Sequence, residues 1–164
     1  MPPPRILVVD DEESQLLLLE RILAGAGFRV HSAATSREAL RLAASQEFDL
    51  ALLDVVIDEL DGYALCRRFK EDPRTANLPV IFVTGERGST QMKVRGFAAG
   101  AVDYLLKPVD AEELVARVRV MLELERARAE LRTLADSLAE QVERRTRQLR
   151  EALEALEQIG RAHV

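Results

Sequence analysis

The chain has 164 residues, enough for one domain of roughly 100–150 residues and an appendage. Its formal net charge of −5 argues against a general nucleic-acid or membrane-surface binder, which would carry a strong basic excess. The single cysteine excludes an internal disulfide, and the sequence shows neither a signal peptide nor a membrane-spanning apolar stretch. We therefore expect a soluble, cytoplasmic protein with no direct nucleic-acid or membrane partner.

Short apolar runs alternate with helical patterns along the first two thirds of the chain. Apolar runs of this length are typical of parallel strands that are buried on both faces. The predicted strands are residues 6–9, 28–32, 48–53, 80–83 and 101–106, and the predicted helices are residues 14–24, 35–45, 61–70 and 89–99 and a last helix from Asp110. Thr35 with Glu38 forms a capping-box pattern at one of these helix starts. The alternation predicts an α/β fold with a doubly wound, five-stranded parallel sheet.

The C-terminal third contains nothing that would end a helix. Between positions 109 and 159 there is neither glycine nor proline, so the last helix should run for about 50 residues, roughly 75 Å. An apolar stripe recurs in steps of three and four, with a break of consecutive steps of four, through Leu124, Ala127, Leu131, Leu134, Leu138, Val142, Thr146, Leu149, Leu153 and Leu156. We interpret this pattern as a coiled coil with a stutter that forms a homodimer. A solvated single helix held by ion pairs is the alternative.

Four predicted strands end in polar groups, namely Asp10-Asp11, Asp54, Thr84 and Lys107. Ligands of open α/β sheets bind at the carboxyl ends of the strands, so these groups should meet at one edge. Adjacent carboxylates suit a hard cation such as Mg²⁺, and a carboxylate can also be a covalent nucleophile toward phosphorus. Asp54 is placed to be the nucleophile, while Thr84 and Lys107 offer hydrogen-bond donors to phosphoryl oxygens. The set suits a divalent cation and a phosphoryl group.

Several motifs occur together in one order: Val8-Val9-Asp10-Asp11-Glu12, Leu53-Asp54-Val55, Asp61-Gly62, Val83-Thr84-Gly85 and the run from Gly96 to Lys107-Pro108. Through them the chain resembles a two-component response-regulator receiver domain over about residues 4–122. The resemblance implies a flavodoxin-like receiver at residues 1–122. It also implies that Asp54 accepts a phosphoryl group from the phosphohistidine of a sensor histidine kinase.

The resemblance further implies a metal site. Asp11, Asp54 and the backbone carbonyl of Val56 would bind Mg²⁺, and Asp10 would assist through water. One position departs from the family, because Asp58 stands where many members have proline. This departure leaves the dephosphorylation rate and the Mg²⁺ affinity open.

The resemblance also implies which residues bind the phosphoryl group and which change conformation with it. Lys107 would pair with the phosphoryl group, and Thr84 would hydrogen-bond to it and shift. Tyr104 would change rotamer with Thr84. Most family members have a cis peptide bond before the proline, here Lys107-Pro108, which would aim the lysine into the site.

Residues 123–164 are expected to be a coiled-coil dimerisation and signalling helix, continuous with the last receiver helix. Residues 138–156 resemble linkers that join receivers to histidine-kinase, cyclic-di-GMP phosphodiesterase (HD-GYP) or diguanylate-cyclase output domains. The chain itself is expected to be a phosphoacceptor signalling domain and not an enzyme, apart from self-catalysed phosphoryl transfer and dephosphorylation. An output domain could be enzymatic.

Two other functions stay open. One is an aspartate-nucleophile, Mg²⁺-dependent phosphatase or phosphotransferase of the haloacid-dehalogenase type. That family has Asp-x-Asp after its first strand, whereas this chain has Asp10-Asp11. The other is a coiled-coil scaffold that is never phosphorylated.

Overall fold

A computed structural model describes residues 2–57, 60–85, 94–95, 98, 100 and 103–163. In this part of the chain, five strands form one sheet: β1 Arg5–Val9, β2 Arg29–Ala33, β3 Leu50–Leu53, β4 Val80–Thr84 and β5 Asp103–Leu106. The strand order is β2-β1-β3-β4-β5, and all neighbouring strands are parallel. The predicted doubly wound parallel sheet is therefore confirmed. The order reverses between β1 and β3, which is where open α/β sheets bind ligands.

Helices α1 Glu13–Gly25, α2 Ser36–Ser45, α3 Gly62–Glu71 and α4 Ala111–Ala162 complete the described elements. The first three lie within one residue of their predicted bounds. The predicted helix at 89–99 falls mostly outside the described residues. Within this range the structure describes Val94, Arg95 and Ala98, and all three are helical.

Two apolar cores lie on opposite faces of the sheet, because successive side chains of a strand point to opposite sides. Along β1, Leu7 and Val9 belong to one core, whereas Ile6 and Val8 belong to the other. The first core contains buried side chains of α2 and α3, and the second contains those of α1 and of the first turns of α4. Burial on both faces explains why β1, β3 and β4 appear in the sequence as continuous apolar runs, whereas the edge strand β2 is only partly buried and contains polar residues.

Side-chain caps fix the starts of three helices. Thr35 Oγ1 accepts from the Glu38 backbone N–H at 3.1 Å, and Asp61 Oδ1 accepts from that of Ala64 at 2.7 Å. Asp110 Oδ1 accepts from the Glu113 N–H at 3.0 Å, at the residue from which the sequence predicts the last helix. The return contact of Glu38 reaches the N–H of Ala34 and not that of Thr35, so the predicted capping box is completed one residue earlier.

Helix α4 contains 52 residues and includes Gly160, so the predicted long C-terminal helix is confirmed. The chain divides into two compact units, Met1–Glu123 and Leu124–Val164. In the second unit the apolar stripe is exposed, with Leu131 at 64% and Leu149 at 66% of full exposure. Among the described residues, none of the helices combines the length and apolar character needed to cross a membrane.

Candidate functional site

The polar groups at the strand ends lie on four neighbouring strands. Asp10 follows β1, Asp54 follows β3, Thr84 is the last residue of β4, and Lys107 follows β5. The Lys107 backbone N–H donates to the Thr84 carbonyl at 2.9 Å, which extends the β4–β5 pairing to the site. The structure thus places all four predicted groups at the carboxyl edge of the sheet.

A single ammonium group joins two buried carboxylates at this edge. Lys107 Nζ lies 2.8 Å from Asp10 Oδ2 and 3.1 Å from Asp54 Oδ2. Asp10 is 1% exposed and Asp54 is 8% exposed. Buried charges need such partners because their removal from water is costly. Among the described residues one cation faces these two anions, so a negative charge remains that attracts a second cation.

The remaining carboxylate oxygens are held by backbone N–H groups of the following loops. Asp10 Oδ1 accepts from the Glu12 N–H at 2.9 Å, and Asp54 Oδ1 accepts from the Val56 N–H at 3.3 Å. Both oxygens of Asp10 are therefore engaged by other groups. Asp11 is exposed and contributes the third carboxylate of a cluster whose oxygens lie within 4.8 Å of one another.

This cluster fits Mg²⁺. The ion prefers carboxylate oxygens, usually keeps several waters, and is well served by three converging carboxylates at an accessible edge. The exposed position of Asp11 suits direct ligation, whereas Asp10, which is only 1% exposed and is the most buried of the three carboxylates, suits an indirect role.

Burial raises the pKa of Asp54, and the negative charge of Asp10 acts in the same direction. The hydrogen bond and charge of Lys107 and the Val56 N–H oppose this increase. For Lys107, burial disfavours the cation, but the hydrogen bonds and charges of Asp10 and Asp54 outweigh it and raise the pKa. A carboxylate with a raised pKa next to a lysine with a raised pKa marks a candidate functional site, because such perturbed pKa values cluster at sites of catalysis and binding.

The loop after β3 is held against the start of α3. The Gly62 N–H donates to the Val55 carbonyl at 2.8 Å. A Cβ atom at Gly62 would lie 2.0 Å from the Asp54 carbonyl oxygen, so only glycine permits this approach. Asp58 falls outside the described residues. The Lys107-Pro108 peptide is cis, as expected.

The predicted switch residue Tyr104 is partly buried next to the aromatic side chains of α3 and β4. Its hydroxyl donates to the Tyr63 hydroxyl at 3.1 Å, and its ring centroid lies 5.3 Å from that of Phe82. Tyr63 carried no functional signal in the sequence, where it is one apolar position of an amphipathic helix. The structure shows that it contacts a predicted site residue 41 positions away.

Residues 6–119 match the response regulator receiver domain. The chain belongs to this family. Its receiver is homologous to those of response regulators and of histidine kinases, consistent with phosphorylation-dependent two-component signalling. Receiver domains bind Mg²⁺ in an acidic pocket, which here is the cluster of Asp10, Asp11 and Asp54.

Two relatives illustrate how receivers are used in longer proteins. The DNA-binding dual master transcriptional regulator RpaA of Synechocystis is 41% identical over 119 residues, which cover 73% of this chain and 49% of RpaA. A probable cyclic di-GMP phosphodiesterase of Vibrio cholerae is 36% identical over 144 residues, which cover 88% of this chain and 32% of that protein. The chain thus spans half or less of these relatives.

Solved receivers have the same fold. A CheY-like response regulator receiver domain protein from Methanospirillum hungatei is 30% identical with a TM-score of 0.72, over 77% of this chain and 98% of that one. The receiver domain of the sensor histidine kinase PA1611 from Pseudomonas aeruginosa is 28% identical with a TM-score of 0.68, and the match covers 74% of this chain and 98% of the PA1611 receiver. The PA1611 structure has a magnesium ion coordinated in its active-site cleft.

Proposed function

We propose that Asp54 is the phosphoacceptor of this receiver and that a sensor histidine kinase is its phosphodonor. The observation that carries the proposal is the Lys107 ammonium, which lies between the buried carboxylates of Asp10 and Asp54 at the switch point of the sheet. Each carboxylate also accepts one backbone N–H of its own loop, but Asp10 is only 1% exposed whereas Asp54 is 8% exposed and is the more accessible of the two. Asp54 lies at the end of the central strand β3, between the acidic pair and the lysine.

The transfer follows from these positions. A carboxylate oxygen of Asp54 forms a bond to phosphorus while the phosphorus–nitrogen bond of the phosphohistidine breaks. The electron pair of that bond stays on the imidazole nitrogen. The Lys107 ammonium then shifts its pairing from the Asp54 carboxylate to the phosphoryl oxygens, and the Thr84 hydroxyl donates to one of them.

Mg²⁺ would be held by Asp11, Asp54 and the backbone carbonyl of Val56, with Asp10 acting through water. Bound there, the ion screens the repulsion between an anionic nucleophile and an anionic phosphoryl group. The PA1611 receiver supports this assignment because its active-site cleft coordinates magnesium.

Residues 123–164, which include the second unit, are proposed to be a coiled coil that makes the protein a homodimer and carries the signal to an output domain or partner. The exposed leucine stripe of these residues supports pairing. The match to the Vibrio cholerae protein supports a link to an output domain. That match covers 144 residues, so it extends at least to residue 144, well beyond the receiver. Any enzymatic activity would belong to that output domain.

Phosphoryl labelling tests the acceptor. The full chain is incubated with acetyl phosphate and Mg²⁺, and the acyl phosphate is mapped by peptide analysis. We expect one label on Asp54, its loss in Asp54→Asn, and full labelling in the control Asp136→Asn, which changes an exposed aspartate of α4. Full labelling of Asp54→Asn would contradict the assignment. Continuous release of phosphate from many phosphate esters would instead favour the phosphatase, and no labelling at all would favour the scaffold.

A further inference from the structure

Tyr104 and Tyr63 form a hydroxyl pair that joins β5 to α3 inside the receiver. The Tyr104 hydroxyl donates to the Tyr63 hydroxyl at 3.1 Å. Phe82 of β4 contacts both rings, with its centroid 5.0 Å from Tyr63 in an edge-to-face arrangement and 5.3 Å from Tyr104. The three rings form a continuous aromatic contact across the strand that ends at Thr84.

Tyr63 is the fixed member of this pair. It is 1% exposed and belongs to the core on the α2–α3 face, whereas Tyr104 packs at the margin of that core and is only partly buried. The Arg95 guanidinium lies 4.8 Å from the Tyr63 ring centroid and forms an ion pair with Asp61 at 3.2 Å. A close-packed ring cannot turn without opening the core, so Tyr104 is the residue that can change rotamer.

Helix α3 also connects Tyr63 to the phosphoacceptor loop. Gly62, the residue before Tyr63, donates to the Val55 carbonyl at 2.8 Å. The backbone of Gly62 approaches the Asp54 carbonyl so closely that a Cβ would lie 2.0 Å from its oxygen. A displacement of the Asp54 and Val55 backbone therefore acts directly on Gly62, the residue next to Tyr63.

We propose that Tyr63 is a positioning residue of the switch, whose hydroxyl holds Tyr104 in its inward, hydrogen-bonded rotamer. This inference rests on the proposed phosphorylation of Asp54 and on the predicted role of Tyr104, which changes rotamer with Thr84. Tyr63 acts through Tyr104 and not on the phosphoryl group. Removing either hydroxyl breaks the same bond, and the net strength of one neutral hydrogen bond corresponds to roughly a two- to tenfold change in the rotamer equilibrium.

The composition of the chain makes the pair directly observable, because it contains two tyrosines and no tryptophan. In the full chain labelled with ¹³C-tyrosine, Tyr63→Phe keeps the buried ring and leaves Tyr104 as the only tyrosine. We expect NMR side-chain couplings and ring shifts to show that the odds of the inward Tyr104 rotamer fall roughly two- to tenfold.

The matched control is Thr133→Val, which removes a hydroxyl bonded to the Ala129 carbonyl at 3.1 Å within α4 and should leave both tyrosine signals unchanged. An unchanged Tyr104 rotamer in folded Tyr63→Phe would overturn the inference. This outcome is decisive whether or not the protein binds a phosphoryl group.

A double-mutant cycle then tests the connection to the site. The affinity for beryllofluoride with Mg²⁺ is measured for wild type, Tyr63→Phe, Tyr104→Phe and the double variant. If the two hydroxyls act through one bond, each single change alters the affinity by a similar factor, and the double change has no larger effect than either one. Additive effects would overturn the inference. A wild-type chain that does not bind beryllofluoride would contradict the proposed function, and the rotamer measurement would still decide the role of Tyr63.

Discussion

Asp10 and Asp11 are adjacent in the sequence but occupy different surroundings. Asp10 is buried, and its oxygens accept hydrogen bonds from Lys107 and the Glu12 N–H, whereas Asp11 is exposed. We expect Asp11→Asn to weaken Mg²⁺ binding by at least about tenfold, because a direct ligand and its charge are removed. Asp10→Asn should have a smaller effect. Both affinities can be measured by metal titration of the full chain.

The control for this comparison is Glu13→Gln, which removes one exposed acidic group from the adjacent first turn of α1. It reports the effect of general charge loss and should change the affinity by less than about twofold, because exposed charges are strongly screened. Equal losses in Asp10→Asn and Asp11→Asn, or a large loss in the control, would place the metal elsewhere.

The raised pKa of Asp54 gives a pH dependence of stability. Burial is the largest cause, and the charge of Asp10 adds to it. A carboxyl group whose pKa is higher in the folded than in the unfolded state binds more protons when folded. Its stabilising contribution is therefore complete below the unfolded value of 3.8 and is lost as the pH rises through the folded value. Once ionised, the buried Asp54 carboxylate is less favourable to folding than its protonated form.

We therefore expect Asp54→Asn to be more stable than the wild type at pH 7. The variant leaves Lys107 paired one-to-one with Asp10, which removes the excess negative charge. Its advantage should shrink as the pH falls and the wild-type Asp54 takes up a proton. Lys107 does not alter this comparison, because its raised pKa lies above this pH range. Urea unfolding of both proteins from pH 4 to pH 8 measures the difference, and a gap that widens toward acid pH would contradict the argument.

At the scale of elements, the start of α3 depends on one glycine. In Gly62→Ala the new Cβ would lie 2.0 Å from the Asp54 carbonyl oxygen and 3.0 Å from the Val55 Cα, so the loop or the helix must move. We expect a loss of about 1–3 kcal/mol in the free energy of unfolding, as for other overpacked sites. Beryllofluoride binding should weaken as well, because Asp54 belongs to the displaced backbone.

Gly25→Ala is the matched control. Gly25 is the last residue of α1, and a Cβ there would meet nothing within 4 Å. Because alanine favours the helix over glycine, this variant should be neutral or up to about 1 kcal/mol more stable. Opposite signs for the two substitutions in denaturant unfolding are the expected result, whereas equal changes would mean that the close approach at Gly62 does not constrain α3.

The sheet could be predicted from the sequence because its signals are local. Four of the five strands end at polar residues, and β1, β3 and β4 are apolar runs. Thr35, Asp61 and Asp110 mark helix starts through caps that span only three positions. The ends of parallel strands share one edge, so a predicted topology is enough to bring Asp10, Asp54, Thr84 and Lys107 to the same region.

The contacts that could not be predicted from the sequence depend on which side chains meet after the elements have packed. Tyr63 and Tyr104 are 41 positions apart, and either tyrosine is also an ordinary amphipathic core residue. The ion pair between Arg117 of α4 and Asp103 of β5, at 2.7 Å, likewise depends on how a helix lies against a strand. No periodicity specifies such pairs, because a pattern defines a face but not the partner that the face meets.

At the scale of the whole molecule, the exposed stripe of α4 predicts association. Leu131, Leu138, Leu149 and Leu156 are all more than half exposed in the single chain. Pairing two helices would remove these side chains from water, which is worth about 1.5–3 kcal/mol for each fully buried leucine. We expect the full chain to be a dimer in sedimentation experiments and a chain ending at Glu123 to be a monomer.

Two substitutions in the full chain refine this comparison. Leu149→Lys places a charge in the stripe and should favour the monomer. Glu151→Lys makes a charge change two residues away, outside the stripe, and should leave the dimer intact. Equal monomer masses for the full and shortened chains would rule out the coiled coil.

A parallel pairing is expected, because it lets a change in the two receivers act on both helices in the same direction. Cys66, the single cysteine, is buried, and burial raises its pKa to about 11, so a spin label can be directed to Glu154→Cys. In a parallel dimer the two labels face each other across one coiled coil, at about 20 Å or less once the helix diameter is counted. In an antiparallel dimer centred near residue 140, they lie 28 residues apart along the axis, about 42 Å at 1.5 Å per residue. Pulsed electron spin resonance resolves these two distances, and a single peak at the longer one would exclude the parallel arrangement.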